Sequence, residues 1–163
     1  MTNHHIEQEI GELLVRHGLT LAAAESCTGG LIGSLITNVP GSSAYFIGGV
    51  IAYSNKIKTG ILNVSPETLN KCGAVSKETA QEMAGGIRDL FNVDIGLAVT
   101  GIAGPDGGTK EKPVGMVYIA LSAGKDIMSK KFLFKGVRRE IKTQAAEDAL
   151  LMLKNYLMEK YKG

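Results

Sequence analysis

The stretch LAAAESCTGGLIGSLI, residues 21–36, decides how this chain folds. An apolar run stops at Glu25-Ser26-Cys27-Thr28, turns on Gly29-Gly30, and becomes apolar again. The alanines alone suit a helix or a strand, so the residues after them arbitrate. Thr28 reads as a helix N-cap, and Leu31, Ile32, Leu35 and Ile36 recur at i, i+1, i+4 and i+5 on one helix face that ends near Asn38-Val39-Pro40-Gly41. LTLAAAE is then a short buried strand, and the unit is strand, turn, helix. A core alone has no use for four polar or reactive residues between two buried elements, which makes the junction a candidate site.

Upstream, Ile6, Ile10, Leu13 and Leu14 are spaced for a packing or lid helix over residues 3–17, stopped by Gly18. Downstream, AYFIGGVIAYS (44–54) is β-branched and aromatic, and its Gly48-Gly49 pair predicts a bulge or a close backbone approach. A short helix comes next, around 55–60. Ser65-Pro66-Glu67 opens another with proline at its first position, and Ser76-Lys77-Glu78-Thr79 opens a longer one to about Leu90. VDIGLAVTG (93–101) is almost continuously apolar, as a central strand covered on both faces would be.

After the polar loop IAGPDGGTKEKP, two strand-like runs flank Ala123-Gly124-Lys125, a turn short enough for an antiparallel hairpin. The second run alternates like an edge strand with one wet face. From Val137 to about Tyr161 a long helix carries Ile141, Ala145, Ala149, Leu150, Leu153 and Leu157 on its inner stripe. Early alternation of strands with helices and a late hairpin predict a three-layer α/β/α sandwich around a mixed, mostly parallel sheet of about five strands.

Composition narrows the function. The 163 residues are 44% hydrophobic, enough for one domain over 1–163. The 18 basic and 16 acidic side chains nearly cancel without a basic stripe, which argues against a nucleic-acid partner. Two cysteines are too few to staple the domain, and no run resembles a signal peptide or a membrane span, so a cytoplasmic protein with reduced thiols is expected. The chain has no G-x-x-x-x-G-K-[ST], G-x-G-x-x-G or G-x-S-x-G motif. His4, His5 and His17 all fall near the N-terminus and Cys27 and Cys72 lack paired spacing, which supports neither a zinc site nor a Ser-His triad.

Ligands of open α/β sheets bind outside the carboxyl ends of parallel strands, which singles out three loops. In the first, Ser26 precedes a helix N-terminus whose amides and dipole would face an anion or a developing oxyanion; the plain alternative is an N-cap with packing glycines. Only one of Ser26 and Cys27 can easily face the crevice, since neighbours on an extended strand point to opposite sides. In the second, Tyr53-Ser54-Asn55-Lys56-Ile57-Lys58, a lysine is either a solvated charge or, turned inward in a dry crevice, a neutral amine able to take a serine proton. The third, Thr100 to Gly108, is long and nearly free of bulky side chains, as a binding loop or a merely flexible one would be.

Together the blocks AESCTGG, PGSSAYFIGGVIAYSNKIK, GAVS and TGIAGPDGGTKEKPVGMVYIA resemble the C-terminal domain family of the competence-damage inducible protein CinA, from about residue 8 to 158. Its stand-alone members include nicotinamide mononucleotide deamidases of the PncC type. The resemblance implies a metal-free and cofactor-free amidohydrolase that converts nicotinamide mononucleotide to nicotinate mononucleotide and ammonia in pyridine nucleotide recycling. Activity of the family's larger pyrophosphatase domain is not expected.

The resemblance places the catalytic serine at Ser26 and its lysine at Lys58. It puts Tyr53 in the site, along with Ser42 and Ser43 of the P-G-S-S loop, and matches FKGVRRE to a G-x-R element whose Arg138 would meet the phosphate, with Arg139 and Lys142 as near alternatives. Thr28, Gly29 and Gly30, and Thr100, Gly101, Ala103 and Gly104, are the expected substrate-binding loop residues, with Tyr53 or Tyr45 stacking on the pyridinium. The alternative function is a non-catalytic nucleotide-binding or regulatory protein linked to competence or DNA damage. A homodimer is expected, because an uncovered hairpin edge or the stripe of the last helix would seek a symmetric partner.

Overall fold

A computed structural model describes residues 5–162. His4 and residues 3 and 4 of the expected first helix lie outside these. Helix α1 (Ile6–His17) stops at Gly18, whose φ of 64° is the left-handed cap a glycine adopts at little cost. Strand β1 (Leu21–Glu25) is buried along its whole length, and α2 (Leu31–Thr37) comes after it. A 3₁₀ turn (Ser42–Ala44) leads into β2 (Phe46–Ile51). Helices α3 (Asn55–Gly60), α4 (Pro66–Cys72) and α5 (Lys77–Phe91) precede β3 (Ile95–Gly101). The hairpin β4 (Met116–Ala123) and β5 (Asp126–Leu133) then hands the chain to α6 (Arg138–Lys160).

The sheet order is β2-β1-β3-β4-β5. β1 pairs in parallel with β2 and β3, while β4 runs antiparallel to both β3 and β5. β3 is thus the middle strand, as its apolar run implies. The α/β/α sandwich is formed with α1, α2 and α6 on one face and α5 on the other. Strand alternation explains both layers: Leu21 and Ala23 meet Ile32, Ile36 and the α6 stripe, whereas Ala22 and Ala24 meet Ala80, Met83 and Ala84 of α5. Each fully buried Leu or Ile of such a core contributes about 1.5–3 kcal/mol.

Both expectations for the glycine pair of β2 are met. The ladder slips between Leu21 paired with Phe46 and Ala22 paired with Gly48, and a Cβ on Gly49 would sit 2.7 Å from the Ala23 carbonyl oxygen.

Three local expectations are corrected. Thr28 does not cap α2: the N-cap is Gly30, without a side-chain bond, because Glu25 takes the helix amides instead. β5 is wet on both faces and its alternation is broken, with Ile127 and Met128 both exposed, because an edge strand beyond α5 and α6 has little helix to cover it. The inner stripe of α6 is consumed by the chain's own core, so it is not available to a partner.

Candidate active site

All three parallel strands deliver their carboxyl ends to one edge of the sheet, the crevice position that open α/β sheets reserve for ligands. Ser26 comes directly after β1. Ala52 and Tyr53 leave β2 and lead into α3, where the Ser54 hydroxyl caps the helix by accepting from the Ile57 N–H. Lys58 stands one turn further on and points inward, only 1% exposed. Its Nζ lies 3.0 Å from Ser26 Oγ, 2.8 Å from the Ala52 carbonyl oxygen and 3.2 Å from that of Tyr53. Among the described residues no carboxylate is within ion-pair reach of this amine.

Burial pulls the Lys58 pKa below its ordinary value; Cys27 nearby acts weakly in the other direction. A neutral amine has two N–H donors and one lone pair. In the ammonium form Nζ donates to all three oxygens; once it has lost its proton, two carbonyls can keep the remaining donors and the lone pair is left for the serine hydroxyl. This is the arrangement in which an amine accepts a proton from an attacking oxygen.

Cys27, left open beside Ser26 by the sequence, packs in the core cluster at 5% exposure. Burial first, and the nearby Glu25 charge after the opposing pull of its own backbone, push the thiol up to about 12, so it stays protonated and unreactive.

A cavity of about 260 Å³ opens in front of the pair, lined by Tyr53, Ala74, Val75 and the Thr100 to Gly107 loop. Thr100 is buried and donates its hydroxyl to the Ala74 carbonyl at 2.8 Å, tying the central strand to the segment before α5. Gly101 is required by packing, since a Cβ there would meet Val117 and the Met116 carbonyl. Gly104 has φ 78° and presents its carbonyl to Arg138 Nη1 at 2.6 Å; Arg138 Nη2 donates to the Tyr53 hydroxyl at 3.0 Å. Tyr53 itself is 63% exposed at the rim. Ala103, 5% exposed, lines the cavity within this loop. Asn55 and Asp106, which sequence reasoning did not single out, also line this cavity.

Arg138 is shared with a second cavity of about 720 Å³, bounded by Gly29, Gly30, Ser34, Arg139 and Lys142. Gly29 and Gly30 have φ of 61° and 104°, a turn that glycine alone makes without strain. Lys142 Nζ reaches to within 3.6 Å of where a Gly29 Cβ would be.

Three expected members are elsewhere. Ser42 and Ser43 precede the amino end of β2, and β2 is parallel to β1, so they stand at the opposite end of the sheet from Ser26. Tyr45 is buried between α1 and the sheet edge, its hydroxyl against Gly11 and without a hydrogen-bond partner among the described residues. None of the three lines the cavity beside Ser26 and Lys58.

The expected anion seat at the start of α2 is corrected too. Glu25, buried, accepts from the Thr28 hydroxyl at 2.7 Å and from the N–H groups of Ile32 and Gly33 at 2.8 and 3.0 Å. A carboxylate of the chain itself therefore occupies the helix N-terminus. An acidic residue closing an apolar strand was the one available signal. Among the described residues no His/Cys/Asp/Glu group gathers as metal ligands do, and no helix is long and apolar enough to cross a membrane.

Comparison with known proteins agrees with this architecture. The family model described as CinA C-terminal domain matches residues 3–157. A putative competence-damage inducible protein of Halothermothrix orenii is 55% identical over 159 residues, 96% of this chain and 38% of the relative. One from Desulforudis audaxviator is 50% identical over 151 residues, 93% and 37% of the two lengths. The chain thus spans less than two fifths of the length of these curated relatives.

Among solved structures, a CinA superfamily protein of Klebsiella pneumoniae superposes with TM-score 0.92 at 32% identity, covering 98% of this chain and 99% of that one. A competence/damage inducible protein of Agrobacterium tumefaciens gives 0.88 at 39% identity, covering 93% and 94%. With the family model and the full-length structural match in agreement, the chain belongs to the CinA C-terminal domain family.

Proposed function

We propose that this domain hydrolyses the carboxamide of nicotinamide mononucleotide, releasing nicotinate mononucleotide and ammonia, with Ser26 as nucleophile and Lys58 as its base. The observation that carries this reading is the buried amine 3.0 Å from a serine hydroxyl, with carbonyls on its other two sides and, among the described residues, no carboxylate within ion-pair reach. The mononucleotide itself comes from the family resemblance. A cationic cavity beside the pair and an exposed aromatic rim are the features that support it.

In this mechanism Ser26 Oγ attacks the carboxamide carbon while its proton passes to Lys58 Nζ. The amine returns that proton to the leaving nitrogen as the C–N bond breaks, giving ammonia and a serine ester. Water then attacks the ester and gives a proton to Lys58, which passes it to Ser26 Oγ as the ester C–O bond breaks; the serine is regenerated, and the nicotinate acid releases its remaining proton to solvent as the free carboxylate. The amides of Cys27, Thr28, Ala103 and Gly104 donate to no oxygen among the described residues, which leaves them available to the oxyanion. Arg138, with Arg139 and Lys142 beyond it, takes the phosphate, and the Tyr53 ring stacks on the pyridinium.

The test is ammonia release from nicotinamide mononucleotide by the wild type, Ser26→Ala and Lys58→Ala. Turnover by the wild type alone is expected. Release by no variant, with saturable nucleotide binding, would sink the reading in favour of a regulatory protein.

A further inference from the structure

The reaction just proposed leaves Glu25 without a role, although this buried carboxylate immediately precedes the nucleophile. Its oxygens accept from the Thr28 hydroxyl and from the second and third amides of α2, so the carboxylate reaches across the turn and closes residues 25–33 into a hydrogen-bonded ring. Ser26 is the first residue inside that ring. Gly29 and Gly30, both in the left-handed region, would otherwise let the turn flex.

The main chain of Glu25 works on the other partner. Its carbonyl accepts the Ala52 N–H at 2.7 Å, and the Ala52 carbonyl accepts from Lys58 Nζ at 2.8 Å. One residue therefore grips the serine turn with its side chain and the lysine's anchor with its backbone. Among the described residues no Lys or Arg pairs with this carboxylate, so its bonds are spent on the turn and not on a counter-ion.

We infer that Glu25 is a positioning residue that holds the serine turn at the separation from Lys58 required for proton transfer. It touches neither substrate nor the transferred proton. This inference rests on the Ser26 and Lys58 pair, not on the identity of the substrate. Displacement of a reacting group by ~1 Å can cost ~10²-fold in rate, so partial loosening of the ring should show as a loss of about tenfold or more.

The experiment uses phenylmethanesulfonyl fluoride, which requires no knowledge of the substrate. Ser26 Oγ forms a bond to sulfur, fluoride departs, and the hydroxyl proton passes to Lys58. Labelling is followed by intact mass and assigned by peptide mapping across pH 6–10 in wild type, Glu25→Gln and Thr28→Val. The glutamine keeps the shape but turns an N–H₂ toward one of the donors it must accept from; the valine removes one donor and leaves the carboxylate, so it covers the case in which Glu25→Gln fails to fold.

The expected result is labelling at Ser26 about tenfold slower in Glu25→Gln and several-fold slower in Thr28→Val. The midpoint of the pH profile should stay in place, in protein that circular dichroism shows to be folded. Wild-type rates in both folded variants would overturn the proposal, because a merely structural cap lowers melting temperature without changing labelling per folded molecule. A shifted midpoint with an unchanged plateau would also overturn it, since Glu25 would then act on the charge of Lys58 and not on position. Absence of label on wild-type Ser26 removes both this inference and the dyad. Labelled Ser26 without hydrolysis of nicotinamide mononucleotide removes only the substrate, and Glu25 is still judged by its labelling rates.

Discussion

Lys58 Nζ sits 3.0 Å from Ser26 Oγ although 32 residues separate the two, and the two backbone carbonyls that share the amine belong to the single turn leaving β2. The amine is held by dipoles and not by an opposite charge. That choice of partners has a measurable consequence.

Burial lowers the Lys58 pKa in the folded state below the unfolded value, so between these two values the unfolded chain binds more protons than the native one. Stability of the wild type should rise with pH through that window, and the burden of the charged amine should be fully felt below it. Melting temperature against pH, compared with Lys58→Met, checks the sign: the variant's curve should be flatter. Turnover should rise across the same folded-state pKa, because only the neutral amine accepts the serine proton.

Cys27 should be inert. With the thiol pushed up to about 12 and only 5% of the residue exposed, native protein at pH 8 should take iodoacetamide at Cys27 far more slowly than denatured protein does. Cys27→Ala should retain most of the ammonia release. Its abolition, with the fold intact, would move the nucleophile to sulfur.

Arg138 joins the loop after β3 to the rim tyrosine, through Gly104 and Tyr53. Hydrogen bonds to charged groups are worth about 1.5–3 kcal/mol, so Arg138→Ala should raise KM for a phosphate-bearing substrate by roughly tenfold or more. Tyr53→Phe removes one exposed partner of the guanidinium and keeps the ring. It should raise KM by only a few-fold, and steady-state kinetics on the two variants separate the effects.

Two neighbouring glycines of α5 should behave oppositely. A Cβ on Gly86 would lie 1.9 Å from the Leu62 carbonyl oxygen, whereas at Gly85 nothing stands within 4 Å. Gly86→Ala should cost about 3 kcal/mol by overpacking, and Gly85→Ala should be neutral or stabilise by about 0.5–1 kcal/mol through the unfolded chain. Thermal melts read both.

The homodimer remains our proposal, on altered grounds. Since α6 spends its stripe internally, the candidates are the outer sheet edges, where Ile47 and Ile51 on β2 and Ile127 and Leu133 on β5 are exposed. Light scattering at micromolar concentration should give twice the monomer mass, and Ile47→Lys with Ile51→Lys, or Ile127→Lys with Leu133→Lys, should return it to monomer. A wild-type monomer would refute it.

Local order in this protein was decided by the sequence itself. The stop of α1 at Gly18, the caps of Ser54 and Ser76, the proline opening α4, the hairpin at Gly124 and the apolar run of β3 each depend on a few adjacent residues, whose torsions and periodicity act wherever the segment ends up. The family resemblance supplied the pairing of position 26 with 58, whereas spacing alone favours a solvated charge at Lys58. Only the parallel register of β1 and β2 brings the serine turn and α3 to one edge, and the same register sends Ser42 and Ser43 to the other. Thr28 lost the cap to Glu25 for a related reason: a buried carboxylate with no cation must collect donors, and the amides of α2 were in reach only after strand and helix had packed. Burial of a charge, and the donors that must then surround it, is a property of three dimensions.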